Sequence, residues 1–410
     1  MLLEKNEPSS TFPTREVSRI NAVLDEVLDY SEARRWMGFD KHDALNSPIL
    51  NKLFCGSRIT RLLATQAVMR SPVNLRSLLG IRPTHNPKGL ALFVRGLLDR
   101  HAVDGEVRHL ERARELLALL EKMAATTESG GRAWGYQYPW QDLGFFAPRN
   151  TPNAVVTSFV CEAYLAAHRQ LGEAKWLRQV EAAIPFFLSD LQRLKDEPEE
   201  LCLSYMPLPM SLRVMDVSIL IASVLAQFAR QSGQRQWLEP ARRLARYVVR
   251  RQTDYHAWFY TDPGNASPIR HDNYHTGFIL DALANYMDAT GEREWQTQYD
   301  SGLKFYAQHL FSPDGAPRWM SDRNYPHDIH GAAQGILTFS RHLDQYGDLA
   351  LRIERWSLNA MYNPDGRFYY QQTRWYTKTF TQMRWCNAWM VRALAALVRG
   401  TNSSTTGTET

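Results

Sequence analysis

Three stretches of the chain repeat one pattern: SFVCEAYLAAHRQLGEAKW, ILIASVLAQFARQSGQRQW and FILDALANYMDATGEREW. In each, an apolar helical run ends at a glycine (Gly172, Gly233, Gly291). A more charged run follows, with a tryptophan (Trp176, Trp237, Trp295) four residues past the glycine. Internal similarity at a fixed spacing means stacked copies of one supersecondary unit, here a helical hairpin that cannot bury its apolar face alone. Two looser copies extend the series, one around Gly105 with His109 in the tryptophan position and one around Gly347 with Leu351 there. Arg384 to Val398 reads as the first helix of one more unit. The glycines are expected to end their helices in the left-handed conformation, and the tryptophans to wedge between helices.

The first helix of each hairpin is apolar on nearly every face and the second on one face, so the first is buried and the second covers it. A period of roughly 56 to 67 residues is long for an open solenoid and predicts a closed ring. The expectation is an all-α (α/α)6 toroid forming a single domain over residues 14–399, closed by N-terminal helices over about 15–35 and 57–69. Residues 1–13 and the tail 400–410 read as disordered. In such a ring the N-termini of the inner helices share one end with the long connections between hairpins. These connections are aromatic, and their SPDG and NPDG turns predict short β-ribbons at the rim.

The net charge is only +5, with Lys and Arg spread along 410 residues and no basic stripe, which argues against nucleic acid as a partner. The most apolar run, 219–229, is too short to span a bilayer, so the protein is not expected to be integral to a membrane. No secretory pattern opens the sequence, and Cys55, Cys161, Cys202 and Cys386 form no CxxC pair. Reduced thiols and a cytoplasmic location are expected. No GxGxxG, GxxxxGK[ST], GxSxG or HExxH is present, so no cofactor or metal is expected.

Aromatic faces beside Asp, Asn, Arg and His are what sugar rings stack on and hydrogen-bond to. The candidate stacking residues are Trp134, Tyr138 and Trp140 in WGYQYPW, and Trp319 and Tyr325 in a later connection. In APRNTPNAVV, Thr151 is the expected helix N-cap, which leaves Arg149, Asn150 and Asn153 to line the site. RHDNYHTGF and PHDIHGAAQ place Asp272 with Tyr274 and His275, and Asp328 with His330, at the starts of successive inner helices. Asp272 or Asn273 equally suits an N-cap. A carboxylate beside a histidine orients it and adjusts its pKa for acid–base work. Gln334, one turn below His330, is expected to face the same way. Asp216 supplies a third carboxylate, and Arg384, Trp385 and Asn387 complete the set at the last inner helix. Arg149, Arg374 and Arg384 could hold an anionic sugar such as a uronate.

GFDKHDALNSP (38–48), RSPVNLRSLLGIRPTHNPKGLALF (70–93), WGYQYPWQDLGFFAPRNTPNAVVTSF (134–159), NYHTGFILDAL (273–283) and HDIHGAAQGILTF (327–339) resemble the VpsJ type of polysaccharide biosynthesis protein, encoded in bacterial exopolysaccharide and capsule clusters. The resemblance spans nearly the whole chain and departs mainly at Lys41 and His42. It implies an α/α toroid and a role near polysaccharide assembly, with association with that machinery. The first expectation is an enzyme acting on a saccharide chain or glycolipid precursor, hydrolase-like, with Asp272 and Asp328 as acid and base about 6.5 to 9.5 Å apart. The second is a polysaccharide lyase or uronyl C5-epimerase, in which His275, His330 or a tyrosine removes a proton and Arg149 or Arg384 neutralises the enolate. The third is a non-catalytic glycan-binding subunit.

Overall fold

The computed structural model describes residues 14–54, 56–142 and 145–406; the termini expected to be disordered, 1–13 and 407–410, lie outside the described residues. Among the described residues the chain forms fourteen α-helices. Six are inner: α4 (Pro87–Asp104), α6 (Ala154–Leu171), α8 (Met215–Ser232), α10 (Asn273–Thr290), α12 (Ile329–Phe339) and α14 (Trp389–Thr406). Each packs on the next, and α14 packs back on α4, so the ring closes. Six outer helices cover it: α1 (Thr14–Ala33), α5 (Val107–Met123), α7 (Ala174–Glu181), α9 (Leu238–Val249), α11 (Gln296–His309) and α13 (Leu343–Ala360). This is the (α/α)6 toroid that the period predicts.

The apolar character of the inner helices explains their place. In α8 nearly every side chain from Met215 to Ala229 is buried, because both the ring neighbours and the outer helix press on it. The amphipathic α9 buries only one stripe, Ala241, Leu244, Ala245 and Tyr247 to Val249. Four of the repeat glycines end inner helices in the left-handed conformation, at φ 71° (Gly105), 69° (Gly172), 77° (Gly233) and 78° (Gly291). A side chain there would cost roughly 1–2 kcal/mol. Trp176 stacks on Tyr164 of α6 at 5.7 Å and Trp295 lies 5.4 Å from Tyr286 of α10, as wedges should.

Three local expectations are corrected. Gly347 ends no helix; α12 stops at Phe339 and Gly347 is buried inside α13. Segment 57–69 does not close the ring, because α1 alone fills that place against α14. Instead α2 (Pro48–Phe54) and α3 (Arg58–Arg70) lie across one end of the toroid on a small separate core of Ala44, Leu50, Ala64 and Val68. With only Ala64, Thr65 and Val68 buried on α3, its apolar stripe is too narrow for a ring member. The tail from Gly400 to Thr406 continues α14, where Gly400 fits against the end of α12 with room for no side chain: a Cβ would lie 2.9 Å from the Ser340 carbonyl oxygen.

Short ribbons line the same end as α3. They pair Trp140–Gln141 with Phe146–Ala147 and Arg213–Val214 with Thr261–Asp262. A third, of three strands, sets Gln371–Gln372 between His327–Asp328 and Thr377–Lys378. No helix among the described residues is long and apolar enough to cross a membrane.

Candidate functional site

A cavity of about 590 Å³ opens at the end of the ring where the inner helices start, between those N-termini and α3. Five of the six inner helices, or the turn that leads into them, send a polar or aromatic group into it: Lys88 from α4, Asp216 from α8, Tyr274 and His275 from α10, His330 from α12, and Arg384 and Trp385 before α14. Trp140 and Trp319 reach it from the rim, and Leu62, Gln66 and Met69 of α3 form its outer wall. The N-termini gather here because every outer-to-inner connection emerges at one end of a closed hairpin ring.

Asp272 and His275 form a pair across the first turn of α10, the imidazole Nδ1 lying 2.7 Å from the Asp272 carboxylate. Spacing of three residues on a helix makes the contact. Asp272 is almost fully buried, and its other oxygen has no hydrogen-bond partner. The His275 ring is held between Tyr260 and Tyr274, each at 4.3 Å. With Nδ1 facing the carboxylate, Nε2 is the free basic nitrogen of His275.

His330 lies flat on Tyr274 at 4.5 Å and against Trp385 and Trp389, and neither ring nitrogen has a partner. Burial, reinforced by Lys88, Arg384 and Lys41, drives its pKa far below the ordinary value, so the ring is neutral. Burial raises the Asp216 carboxyl despite His275 and Lys88, and one of its oxygens is unpartnered. The Lys88 ammonium stands over the Phe159, Phe278 and Trp389 rings at 3.9, 4.5 and 5.4 Å. Burial, with Arg384 nearby, pulls its pKa well down. Lys41 sits over Trp385 at 4.1 Å, its pKa lowered by burial to about 8.

Arg384 does not offer a free charge. Its Nε lies 2.7 Å from Asp40 Oδ2 and a terminal nitrogen binds the other oxygen. Asp40 also accepts from Asn86, Tyr138 and the Lys41 backbone N–H. Burial would raise the Asp40 carboxyl, but Arg384 outweighs it and holds it below the usual carboxylate range.

Eight of the seventeen expected site residues therefore line the cavity: Asp216, His275, His330, Tyr274, Trp140, Trp319, Arg384 and Trp385. Asp272 stands behind His275. Asp328 is turned away as well: it caps α12 through the His330 N–H and accepts from Gln371 and Trp385, which consumes both oxygens. Trp134 is core, its Nε1 bonded to the Leu120 carbonyl, and Tyr138 is buried against Asp40. Asn153, not Thr151, caps α6, accepting from Val156 N–H, because the helix begins one residue after it. Arg149 is exposed on Asn46, Arg374 lies on an exposed hairpin beside Trp375, and Tyr325 is exposed beside His327. Asn387 ties the Phe368 N–H and the Gly366 carbonyl together. Gln334 faces the other end of the ring, where it meets Asp281 in a second cavity of about 290 Å³. The shared floor of the two cavities includes Phe278.

Lys88, Lys41, His42, Tyr136, Tyr205 and Tyr260 also line the site and are not foreseen as site residues. Lys88 was within reach of the sequence: it follows Asn86-Pro87, a cap and first-turn proline at the start of an inner helix. Lys41 and His42, the main departures from the VpsJ-type pattern, both line the cavity. Among the described residues no group of three or more His, Cys, Asp or Glu is placed to hold a metal ion.

No protein-family model matches the chain, and no curated protein matches it. Solved structures do. The chain is similar to a D-mannose isomerase (11% identity, TM-score 0.62, covering 96% of this chain and 100% of that one). It is also similar to a polysaccharide lyase (10%, 0.59, 95% and 98%) and to cellobiose 2-epimerase from Spirochaeta thermophila (13%, 0.60, 78% and 87%). The chain shares their fold.

Proposed function

We propose that the protein is a carbohydrate-active enzyme that moves a proton at a sugar carbon, in the manner of an epimerase, isomerase or lyase. The observation that carries this reading is the His275–Asp272 pair at 2.7 Å, its imidazole in a cavity walled by Trp140, Trp319 and Trp385. His275 Nε2 is the base that takes the proton next to a carbonyl or carboxylate. The raised Asp216 carboxyl is the acid that returns or relays it. Lys41 supplies positive charge, and Lys88 an amine N–H donor, for an enediolate oxygen that develops in the cavity. The toroids to which this fold is similar include an isomerase, epimerases and a lyase as well as glycoside hydrolases, which supports carbohydrate chemistry and leaves the choice of reaction to the site.

The hydrolase reading with Asp272 and Asp328 loses support, since Asp272 stands behind His275 and both Asp328 oxygens are taken by hydrogen bonds. A different hydrolytic arrangement, with Asp216 as sole acid, draws on the raised Asp216 carboxyl in the cavity. A role in exopolysaccharide assembly rests on the resemblance to VpsJ-type proteins.

The test is incubation in D2O with a panel of hexoses, disaccharides and uronate oligosaccharides. Deuterium at C2 or C5, or unsaturated uronate absorbance, both lost in His275→Asn, is the expected outcome. New reducing ends without deuterium at carbon would replace this reading with hydrolysis, and binding without turnover would replace it with a glycan-binding role.

A further inference from the structure

Several of the large exposed apolar side chains among the described residues lie on α2 and α3 or beside them. Leu53 of α2 and Ile59 and Leu63 of α3 are 68, 68 and 64% exposed, and Leu78 and Trp375 reach 78 and 81%. The helix α3 divides its circumference: Ala64 and Val68 are buried in the small core, Leu62, Thr65, Gln66, Met69 and Arg70 line the cavity, and Ile59, Leu63 and Ala67, at i, i+4 and i+8, face solvent. The hairpin that carries Trp375 is fastened beside α3 by Lys378, whose ammonium donates to the Met69 carbonyl at 3.1 Å. Apolar groups of this size standing together in water mark an interaction surface.

The charge of the face identifies what covers it. Between Asp43 and Asp99 the sequence has no Asp or Glu, and none stands between Asp365 and Glu409. These two acid-free stretches build the face. Lys52, Arg58, Arg70, Arg82 and, beside Trp375, Arg374 are exposed, and among the described residues none of them forms an ion pair with a carboxylate. Aliphatic and aromatic side chains interleaved with unpaired Lys and Arg match a lipid surface bearing negative headgroups: the apolar groups enter the interface and the cations meet the phosphates.

We propose that the α2–α3 face docks the protein peripherally on an anionic bilayer. The protein lies on the surface and does not cross it, consistent with the lack of a long apolar helix among the described residues. Because the inner side of α3 walls the cavity, docking sets the mouth against the headgroup layer, where a saccharide carried on a lipid would be presented. The proposal stands on the surface alone and is independent of the chemistry in the cavity.

The experiment is co-sedimentation of the purified full chain with vesicles of phosphatidylcholine alone and of phosphatidylcholine with phosphatidylglycerol, at low and high salt. The protein is expected to partition to the anionic vesicles, less strongly as salt screens the charges. The double variant Lys52→Glu/Arg58→Glu should lower the partition by at least 25-fold, about fivefold for each positive charge removed. The double variant Leu63→Ser/Trp375→Ser should remove the binding that survives high salt. These positions are exposed, so both variants should keep the wild-type circular dichroism, and Val107→Ser, an exposed position where α5 begins, should change nothing. Failure of the folded protein to bind either vesicle at low salt would overturn the proposal. So would binding that both double variants leave intact, or a dimer in light scattering that the same substitutions dissolve while vesicles bind nothing.

Discussion

Replacing Asp272 by Asn tests the proposed base at its orienting group. The wild-type carboxylate accepts from His275 Nδ1–H at 2.7 Å, which leaves Nε2 unprotonated and basic, while the other Asp272 oxygen is buried without a partner. An Asn side chain has two choices. With its oxygen toward Nδ1–H it keeps the tautomer but buries an NH2 group with no partner, at a cost of about 1–3 kcal/mol. With its NH2 toward Nδ1 it donates to that nitrogen, leaves its carbonyl oxygen in the place of the unpartnered wild-type oxygen, and forces the proton onto Nε2, so the base is gone. The second arrangement is preferred, because it keeps an acceptor where the wild-type oxygen stands and buries fewer unpartnered donors. Loss of a positioned general base lowers kcat by about 10²–10⁴, or about 3–5 kcal/mol of barrier. Folding stability should shift by less than about 1 kcal/mol, since the Asp272 side chain makes no capping bond to α10. Deuterium incorporation into the responding sugar measures the rate, and 15N chemical shifts of histidine-labelled protein report the tautomer. A variant with the tautomer inverted and kcat within about threefold of wild type would refute His275 as the base. An unchanged tautomer would refute the hydrogen-bond argument itself.

Three further outcomes are expected. Glu354 on α13 is fully buried, and burial raises its pKa to about 7 from 4.5. A carboxyl raised in the folded state favours folding at low pH and loses that advantage as pH climbs through about 7. Glu354→Gln should therefore be more stable than wild type at pH 9 by roughly 3 kcal/mol and gain little at pH 5, read by urea unfolding at both values. Lys88→Met removes a buried amine held only by aromatic faces, so the melting temperature should hold or rise while turnover falls at least about 100-fold. Arg384→Met leaves the buried Asp40 carboxylate without its bidentate partner and should cost about 3–5 kcal/mol in chemical denaturation; the double variant Arg384→Met/Asp40→Asn should recover part of that loss.

The ring was legible in the chain itself, because the repeat is a local property. An all-round apolar helix followed by glycine and an amphipathic helix can bury its surface only between like neighbours, and that pattern recurs from Gly105 to Gly291. The end of the ring that carries the site followed from hairpin connectivity, and Asp272 with His275 were neighbours by helical spacing. Which side chains face the cavity depended on quantities no local pattern holds. Asp328 turns inward because Gln371 and Trp385, more than forty residues away, take its oxygens. Arg384 is neutralised by Asp40 from the far end of the sequence, and Gln334 points to the opposite mouth because α12 is packed with that face toward Asp281. The apolar stripe of α3 does not say by itself whether it enters the ring or lies over it; that was decided by α1, which had already filled the place against α14.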